Sequence, residues 1–455
     1  MPDGATGRLS LLRRNREFAL LFWATAGSAV GTYLAALALS VHIFDITGSG
    51  RWLAALLIAD FLPMVVIGLT LGPLVDRLSR RRLMVVSDLV RAATFVALPF
   101  VDRPAIIVAL AAVNGVATGF FRPAVWAGLP NLVTDAEREQ ATSLLSTVEH
   151  LAWTIGPAAA GVLLATSGPD AAYGVNAVTF VVSALLVARI PAHSLRSDEP
   201  ITKGHWSELR EGVGLVTRSP HLVTVLVVWS TAAVATACVN VAEVVLAKDD
   251  LGAGNIGLGL LVSATGVGLV IGSFFAASAL GALGMTRVYG GSLALMAAGF
   301  GLAAGSPTIA VAALLAGIAT IGNGAAIVCN QVLVQRGAPD AMRGRALSVL
   351  MSAYYAVLGL SMAGGGLLVD FAGARVAWAF AGGVYLVAAV TAFILTSRIR
   401  EAGEPRRAPA EEPAGLARIR ALMDEIEETR RREQHRARPD VAALAPPEPE
   451  GRPTP

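Results

Sequence analysis

Residues 221–246 read HLVTVLVVWSTAAVATACVNVAEVVL, with Glu243 the only acid. As an α-helix rising 1.5 Å per residue, the block reaches about 39 Å. A bilayer's hydrocarbon core is roughly 30 Å thick. Backbone groups in lipid must bond within their own segment, so a spanning block of this length is a helix. A strand of a membrane barrel would run for about 10 residues with alternating polarity, and this run does not alternate. Working outward, eleven further blocks of the same kind occupy 17–43, 52–75, 83–101, 105–129, 142–166, 172–190, 256–282, 288–304, 308–334, 347–369 and 376–397. The chain therefore reads as an all-α membrane protein of twelve spans. Composition agrees: the 455 residues are 55% hydrophobic and 15% charged, against roughly 25% charged in soluble domains. Mean hydropathy is +0.62. A soluble enzyme, a disordered chain and a disulfide scaffold are excluded. Cys238 and Cys329 both lie inside apolar blocks. A net charge of +3 gives no case for a nucleic-acid partner.

An even number of spans puts both termini on one side. The N-terminal segment, the central loop and one set of short loops carry eighteen Arg or Lys, and the opposite set carries only Arg51, Arg103, Lys248 and Arg375. The positive-inside rule makes the basic side cytoplasmic, so both termini are expected in the cytoplasm of a bacterial cell, with the chain in its cytoplasmic membrane. Arg13-Arg14 before an apolar run imitates a twin-arginine signal. The run is too long and lacks a cleavage site, so it reads as a retained first helix.

Two regions stand outside the spans. In the linker 191–220, Trp206, Leu209, Val213 and Val216 recur at helical spacing and predict a short interfacial helix. The segment 398–455 holds twelve Arg and twelve acidic residues. It reads as a largely disordered charged tail, with a short helix expected to carry Leu416, Ile419, Met423 and Ile426. The domain plan is thus 1–190, a first six-helix bundle; 191–220, a cytoplasmic loop; 221–397, a second six-helix bundle; and 398–455, a tail.

The halves repeat. Asp135-Ala136-Glu137-Arg138, followed by Ala141, Ser143 and Leu145, matches Asp340-Ala341-Met342-Arg343, followed by Ala346, Ser348 and Leu350. The match continues to Gly161 and Gly366, and Ile67-Gly68 aligns with Ile271-Gly272. Both matched stretches leave a basic loop and enter a span in the same direction. The repeats are therefore parallel, two pseudo-symmetric bundles about an axis along the membrane normal. This plan places a cavity between the bundles near the midplane and supports alternating access by rocking.

At this point a family resemblance becomes specific. Gly72-Pro73-Leu74-Val75-Asp76-Arg77-Leu78-Ser79-Arg80-Arg81 resembles the loop signature of the major facilitator superfamily, with Ser79 where the signature has glycine. Gly156-Pro157-Ala158-Ala159-Ala160-Gly161 resembles the fifth-span motif of that superfamily's drug antiporters, with Ala160 at the first of its paired glycines. The Asp-Ala-x-Arg loops and Arg343-Gly344-Arg345 are similar to the branch of macrolide and enterobactin exporters. The resemblance covers about 10–397 and implies the major facilitator fold and secondary transport without a cofactor. It implies a gating role for Gly72, Asp76, Arg77, Arg80 and Arg81, with Asp76 pairing across to the eleventh span. It also implies a structural role for Gly156, Pro157 and Gly161. The arginine that many proton-coupled relatives carry mid-way along the fourth span is absent here, where the chain reads Val113-Asn114-Gly115.

Ionisable groups inside spans are costly and mark function by default. Asp60, Asp88, Arg91, Arg122, Glu149 and Glu243 are the candidates for coupling. Asp88 and Arg91 share a helix face at i,i+3. Arg122 and Glu149 fall at similar depth on neighbouring antiparallel spans, predicting a pair, with Asp88 and Arg91 as further members of the cluster. Glu149 is the first choice for proton coupling and Asp60 the second. Aromatic and polar residues within spans, among them Asn114, Phe121, Trp126, Trp153, Asn330, Gln331, Tyr354 and Tyr355, are candidates for the cavity. A mostly apolar cavity with scattered polar groups suits a small amphipathic organic substrate. Gly252–Gly257 spells a dinucleotide fingerprint but follows no strand, so it reads as a loop. The six histidines show no metal-ligand spacing, and no catalytic constellation is recognisable.

The sequence thus predicts a secondary transporter, not an enzyme, that moves drugs or amphipathic metabolites out of the cell in exchange for protons, and the resemblance implies a monomer. A metabolite importer of the same fold is the alternative. A polytopic membrane enzyme and a non-transporting sensor signalling through its tail are the more distant ones.

Overall fold

The computed structural model of the chain describes residues 6–70, 78–195, 205–339 and 342–403. Among these residues all regular elements are helical. Two helices precede the first loop, α1 (Thr6–Arg14) and α2 (Arg16–Thr47), and then come α3 (Gly50–Thr70), α4 (Arg80–Ala97), α5 (Pro104–Leu132) and α6 (Arg138–Ala188). After α7 (His205–Arg218) follow α8 (Pro220–Val245), α9 (Gly254–Leu283), α10 (Met285–Ala303), α11 (Ile309–Gly337), α12 (Arg343–Ala372) and α13 (Ala374–Gly403). Ten helices among the described residues are long and apolar enough to cross a membrane. The other two expected spans, 142–166 and 288–304, fall on the first part of α6 and on the 19-residue α10.

Local chemistry sets the breaks. Asn15 caps α2 by accepting from the Phe18 N–H at 3.0 Å, and its own amide donates to the Leu132 carbonyl at 2.6 Å, fastening the start of α2 to the end of α5. Thr134 and Glu137 form a capping box just before α6. α6 runs through both the fifth and sixth expected spans and is interrupted at Gly168, whose φ of 77° and ψ of 179° leave helical space. A side chain at that φ would be strained, whereas glycine is not.

The internal repeat is visible in these breaks. Gly48 and Gly252, 204 residues apart, both take φ of 58° at the ends of equivalent helices. Gly168 and Gly373, 205 apart, take φ of 77° and 88°. Helix starts repeat at the same offset, as in Gly50 with Gly254, Pro104 with Ile309 and Arg138 with Arg343. Packing repeats too: α3 lies on α5 as α9 lies on α11, and α2 lies on α6 as α8 lies on α12. The bundles meet along two equivalent seams, α3 with α12 and α6 with α9.

Close helix approach depends on small residues. A Cβ at Gly115 would lie 2.1 Å from the Asp60 carbonyl oxygen, and one at Gly272 would lie 1.9 Å from that of Ile321. Both neighbours are backbone, so the helices themselves would have to part. Gly272→Val is therefore expected to destabilise by about 1–3 kcal/mol or more. Gly383, on an exposed face of α13 with nothing within 4 Å of its added Cβ, is the contrast. Gly383→Ala is expected to gain about 0.5–1 kcal/mol. Thermal unfolding of the purified variants in one detergent checks both signs.

The linker helix forms as expected at His205–Arg218, and the two described residues of its apolar stripe differ in burial. Val216 is buried while Val213 is exposed. Gly212 abuts the Arg345 carbonyl of α12, and Glu211 pairs with Arg345 at 2.5 Å. An exposed Val213 follows because the helix docks through its small residue, which lets the two backbones approach. The side chains of Trp206 and Leu209, and the tail from 404 on, lie outside the described residues.

Candidate functional site

The helix ends define two faces, one rich in arginine and one poor in it. A cavity of about 430 Å³ lies between the bundles, toward the arginine-rich face. Met64 and Val65 of α3, Gly119, Arg122, Pro123 and Trp126 of α5, and Leu347, Ser348, Met351, Ser352 and Tyr355 of α12 line it. Its wall is largely apolar. The Ser348 and Ser352 hydroxyls donate back to the carbonyls of Gly344 and Ser348, so their protons are spent within α12.

The charge on this wall is Arg122, which donates to Glu149 of α6 at 3.0 Å. The pair is only partly withdrawn from solvent, with 46% of the arginine side chain and 25% of the carboxylate exposed. Tyr33 of α2 feels both charges, and Tyr355 of α12 feels that of Arg122. Gly156 is what allows α2 so near: a Cβ there would lie 2.7 Å from that of Tyr33. Four helices from both bundles therefore converge on one ion pair.

Asp88 and Arg91 are paired, as their spacing suggested, but away from this cavity. Both are buried, at 0% and 3% exposure. The Arg91 guanidinium lies between the rings of Phe121 and Phe180, 4.2 and 4.3 Å from their centroids. A desolvated cation held by a carboxylate and two π-faces is a rivet among α4, α5 and α6. Asp60 accepts from the Asn114 amide at 2.7 Å, joining α3 to α5. Glu243 sits partly buried near the end of α8, and its carboxylate has no hydrogen bond or ion pair among the described residues.

Several cavity candidates do not line this cavity. Asn114 is committed to Asp60, Phe121 to Arg91, and Asn330 to the Tyr289 hydroxyl at 2.5 Å. Gln331 is exposed, and Tyr354 packs on Trp229 with centroids 5.1 Å apart. The reason is general: a polar group in an apolar helix is satisfied first by its neighbours within the bundle. Trp126 and Tyr355 do line the cavity, while the thioethers of Met64 and Met351 were missed because methionine in a span looks like any packing residue. Of the loop signature, Arg80 reaches the Leu195 carbonyl at 3.5 Å and Arg81 the Ala188 carbonyl. Gly72, Asp76 and Arg77 lie outside the described residues, as do the side chains of Trp153 and Pro157. Gly161 is in the α6–α9 seam, where a Cβ would lie 2.8 Å from the Gly259 Cα. Among the described residues no cluster of His, Cys, Asp or Glu could hold a metal ion.

Comparison with known proteins agrees with this architecture. The family model described as transmembrane secretion effector, one of the major facilitator models, matches residues 6–419. The MFS-type transporter YfiS of Bacillus subtilis is 26% identical over 82% of this chain and 91% of its own length. The multidrug efflux pump Tap of Mycolicibacterium fortuitum is 27% identical over 78% of this chain and 89% of its own. Among solved structures, a bacterial homolog of the human lysosomal transporter Spinster, in an inward-facing and unoccupied conformation, superposes with a TM-score of 0.69 at 12% identity, covering 86% of this chain and 99% of that one.

Proposed function

The chain belongs to the transmembrane secretion effector family of major facilitator transporters, and from that premise we propose that it exports drugs or other amphipathic metabolites across the bacterial cytoplasmic membrane in exchange for protons. The observation that carries this reading is the partly wet Arg122–Glu149 pair at a cavity whose other walls are apolar. An apolar body fits against Met64, Val65, Leu347, Met351 and Trp126, and a polar group meets the ion pair. Efflux is what the name of the relative Tap describes. The arginine distribution makes the cavity side cytoplasmic, so substrate loads from inside.

Glu149 is the coupling carboxylate in this reading, with Asp60 and Glu243 as secondary groups. A proton on Glu149 removes the charge that holds Arg122, and a polar substrate group competes for the same pair. By linkage, whatever proton binding does to substrate affinity, substrate does to proton affinity. The bundles then rock about the two seams, exposing the cavity to each side in turn.

Everted membrane vesicles test this. A labelled macrolide is expected to accumulate in vesicles carrying the protein, and a protonophore is expected to collapse that accumulation. Accumulation that ignores the protonophore overturns the proton coupling. Uptake by intact cells in place of export overturns the direction.

A further inference from the structure

At the arginine-poor face the two bundles touch through equivalent contacts. Gly366 of α12 lies against the start of α3, where a Cβ would be 2.8 Å from the Gly50 carbonyl oxygen and 2.7 Å from the Ala54 Cβ. Gly161, 205 residues earlier, lies against the start of α9 in the same way. The two seams differ in charge. Asp370, one turn beyond Gly366, points its carboxylate at the first turn of α3. It accepts from the Ser49 hydroxyl at 2.9 Å, the Gly50 N–H at 2.5 Å, the Arg51 guanidinium at 2.6 Å and, more weakly, the Arg51 N–H at 3.4 Å. An acid from one bundle thus caps and neutralises a helix N-terminus in the other, the favourable end for an anion. The Asp370 side chain is 14% exposed and that of Arg51 is 62% exposed, so salt screens the guanidinium contact more than the Gly50 N–H bond.

Among the described residues the other seam lacks this device. The residue at the place of Asp370 is Ala165, and the one at the place of Arg51 is Asn255, whose side-chain oxygen is buried without a hydrogen-bond partner. A further cross-bundle pair, Lys248 with Asp45, fastens the same face. The fourth basic residue of this face, Arg375, stays within its own bundle, bonding the carbonyls of Ala304 and Ser306 and standing 4.0 Å from Asp250.

We propose that Asp370 is a gating residue of the transport cycle, a one-sided latch that holds the arginine-poor face shut while the cavity is open on the opposite side. It rests on the alternating-access reading above. For the cavity to open on the latched side, α12 must leave α3, and the N-terminal turn of α3 loses its cap in one step. Carboxylate, Ser49, Gly50 and Arg51 therefore set how rarely that opening occurs. The opposite seam carries no such charge among the described residues and meets glycine on glycine.

The test is a distance measurement in lipid nanodiscs without substrate. Spin labels at Ile46→Cys and Ile256→Cys, both exposed and on opposite bundles at this face, go into a background with Cys238 and Cys329 replaced. The unaltered latch is expected to give one dominant short distance. Asp370→Ala is expected to raise the long-distance fraction about tenfold, the equilibrium shift of ~1.4 kcal/mol. Arg51→Gln is expected to give a smaller rise, because Ser49 and Gly50 still hold the carboxylate. Asp250→Asn, within one bundle, is expected to change nothing. Should Asp370→Ala fail to fold, Ser49→Ala with Arg51→Gln gives the readout instead. A folded variant with the wild-type distribution overturns the latch. This outcome is separate from that of vesicle export: export can fail with the latch intact, and the latch can fail with export intact.

Discussion

Glu149→Gln is expected to abolish accumulation of a labelled macrolide in energised everted vesicles while the protein still inserts and folds. The amide keeps an acceptor for Arg122, so the 3.0 Å contact between α5 and α6 survives as a neutral hydrogen bond. What is lost is the group that can gain or give up a proton. Site-to-site coupling of about 1–3 kcal/mol puts the lost dependence of substrate affinity on protonation at about 5- to 150-fold. Downhill equilibration of the same compound, which needs no proton, is expected to remain. Wild-type accumulation by this variant sinks the assignment of Glu149 and moves the coupling role to Asp60 or Glu243.

The second large effect concerns stability. Arg91→Leu leaves the Asp88 carboxylate buried with its partner gone, and breaking a buried pair from one side costs about 3–5 kcal/mol. It also removes a cation stacked between Phe121 and Phe180. Little monodisperse protein is expected after extraction, measured by size-exclusion chromatography. Arg91→Lys is expected to fall between, since an ammonium keeps the charge but not the planar stack. Asp88→Leu combined with Arg91→Leu is expected to recover folded protein, because apolar replacement of both partners is often near neutral. Normal yield from Arg91→Leu alone would show that the pair does not clamp the bundle.

These two ion pairs show what was legible in the sequence. Depth along a span is a one-dimensional quantity, so Arg122 and Glu149 could be matched by counting residues from the shared loop. Spacing of three gave Asp88 and Arg91. The direction in which each pair faces is a matter of helix rotation and packing, and that separated the exposed pair from the riveted one. The repeat was legible from the polar Asp-Ala-x-Arg loops, and the structure adds Gly48 with Gly252 and Gly168 with Gly373, whose shared φ is invisible in composition. Asn114 and Asn330 were read as cavity residues because polarity within an apolar run is conspicuous. Asp60 and Tyr289 answer them from the next helix, and no pattern along one span reveals that. Asp370 was passed over for the opposite reason: it closes a long apolar run, and its partners lie about 320 residues away. The signal that could have found it was the repeat itself, which brings the end of the eleventh span and the start of the second to one face.

Paired distances on both faces of one protein test the two-bundle mechanism most directly. Labels at Ile46→Cys and Ile256→Cys report the arginine-poor face, and labels at Glu139→Cys and Gln335→Cys, both exposed at the starts and ends of helices on the arginine-rich face, report the other. Between neutral and acidic buffer, with and without the macrolide, the first distance is expected to lengthen in the same fraction of molecules in which the second shortens. Two distances that stay fixed in every condition, or that lengthen together, would contradict the account.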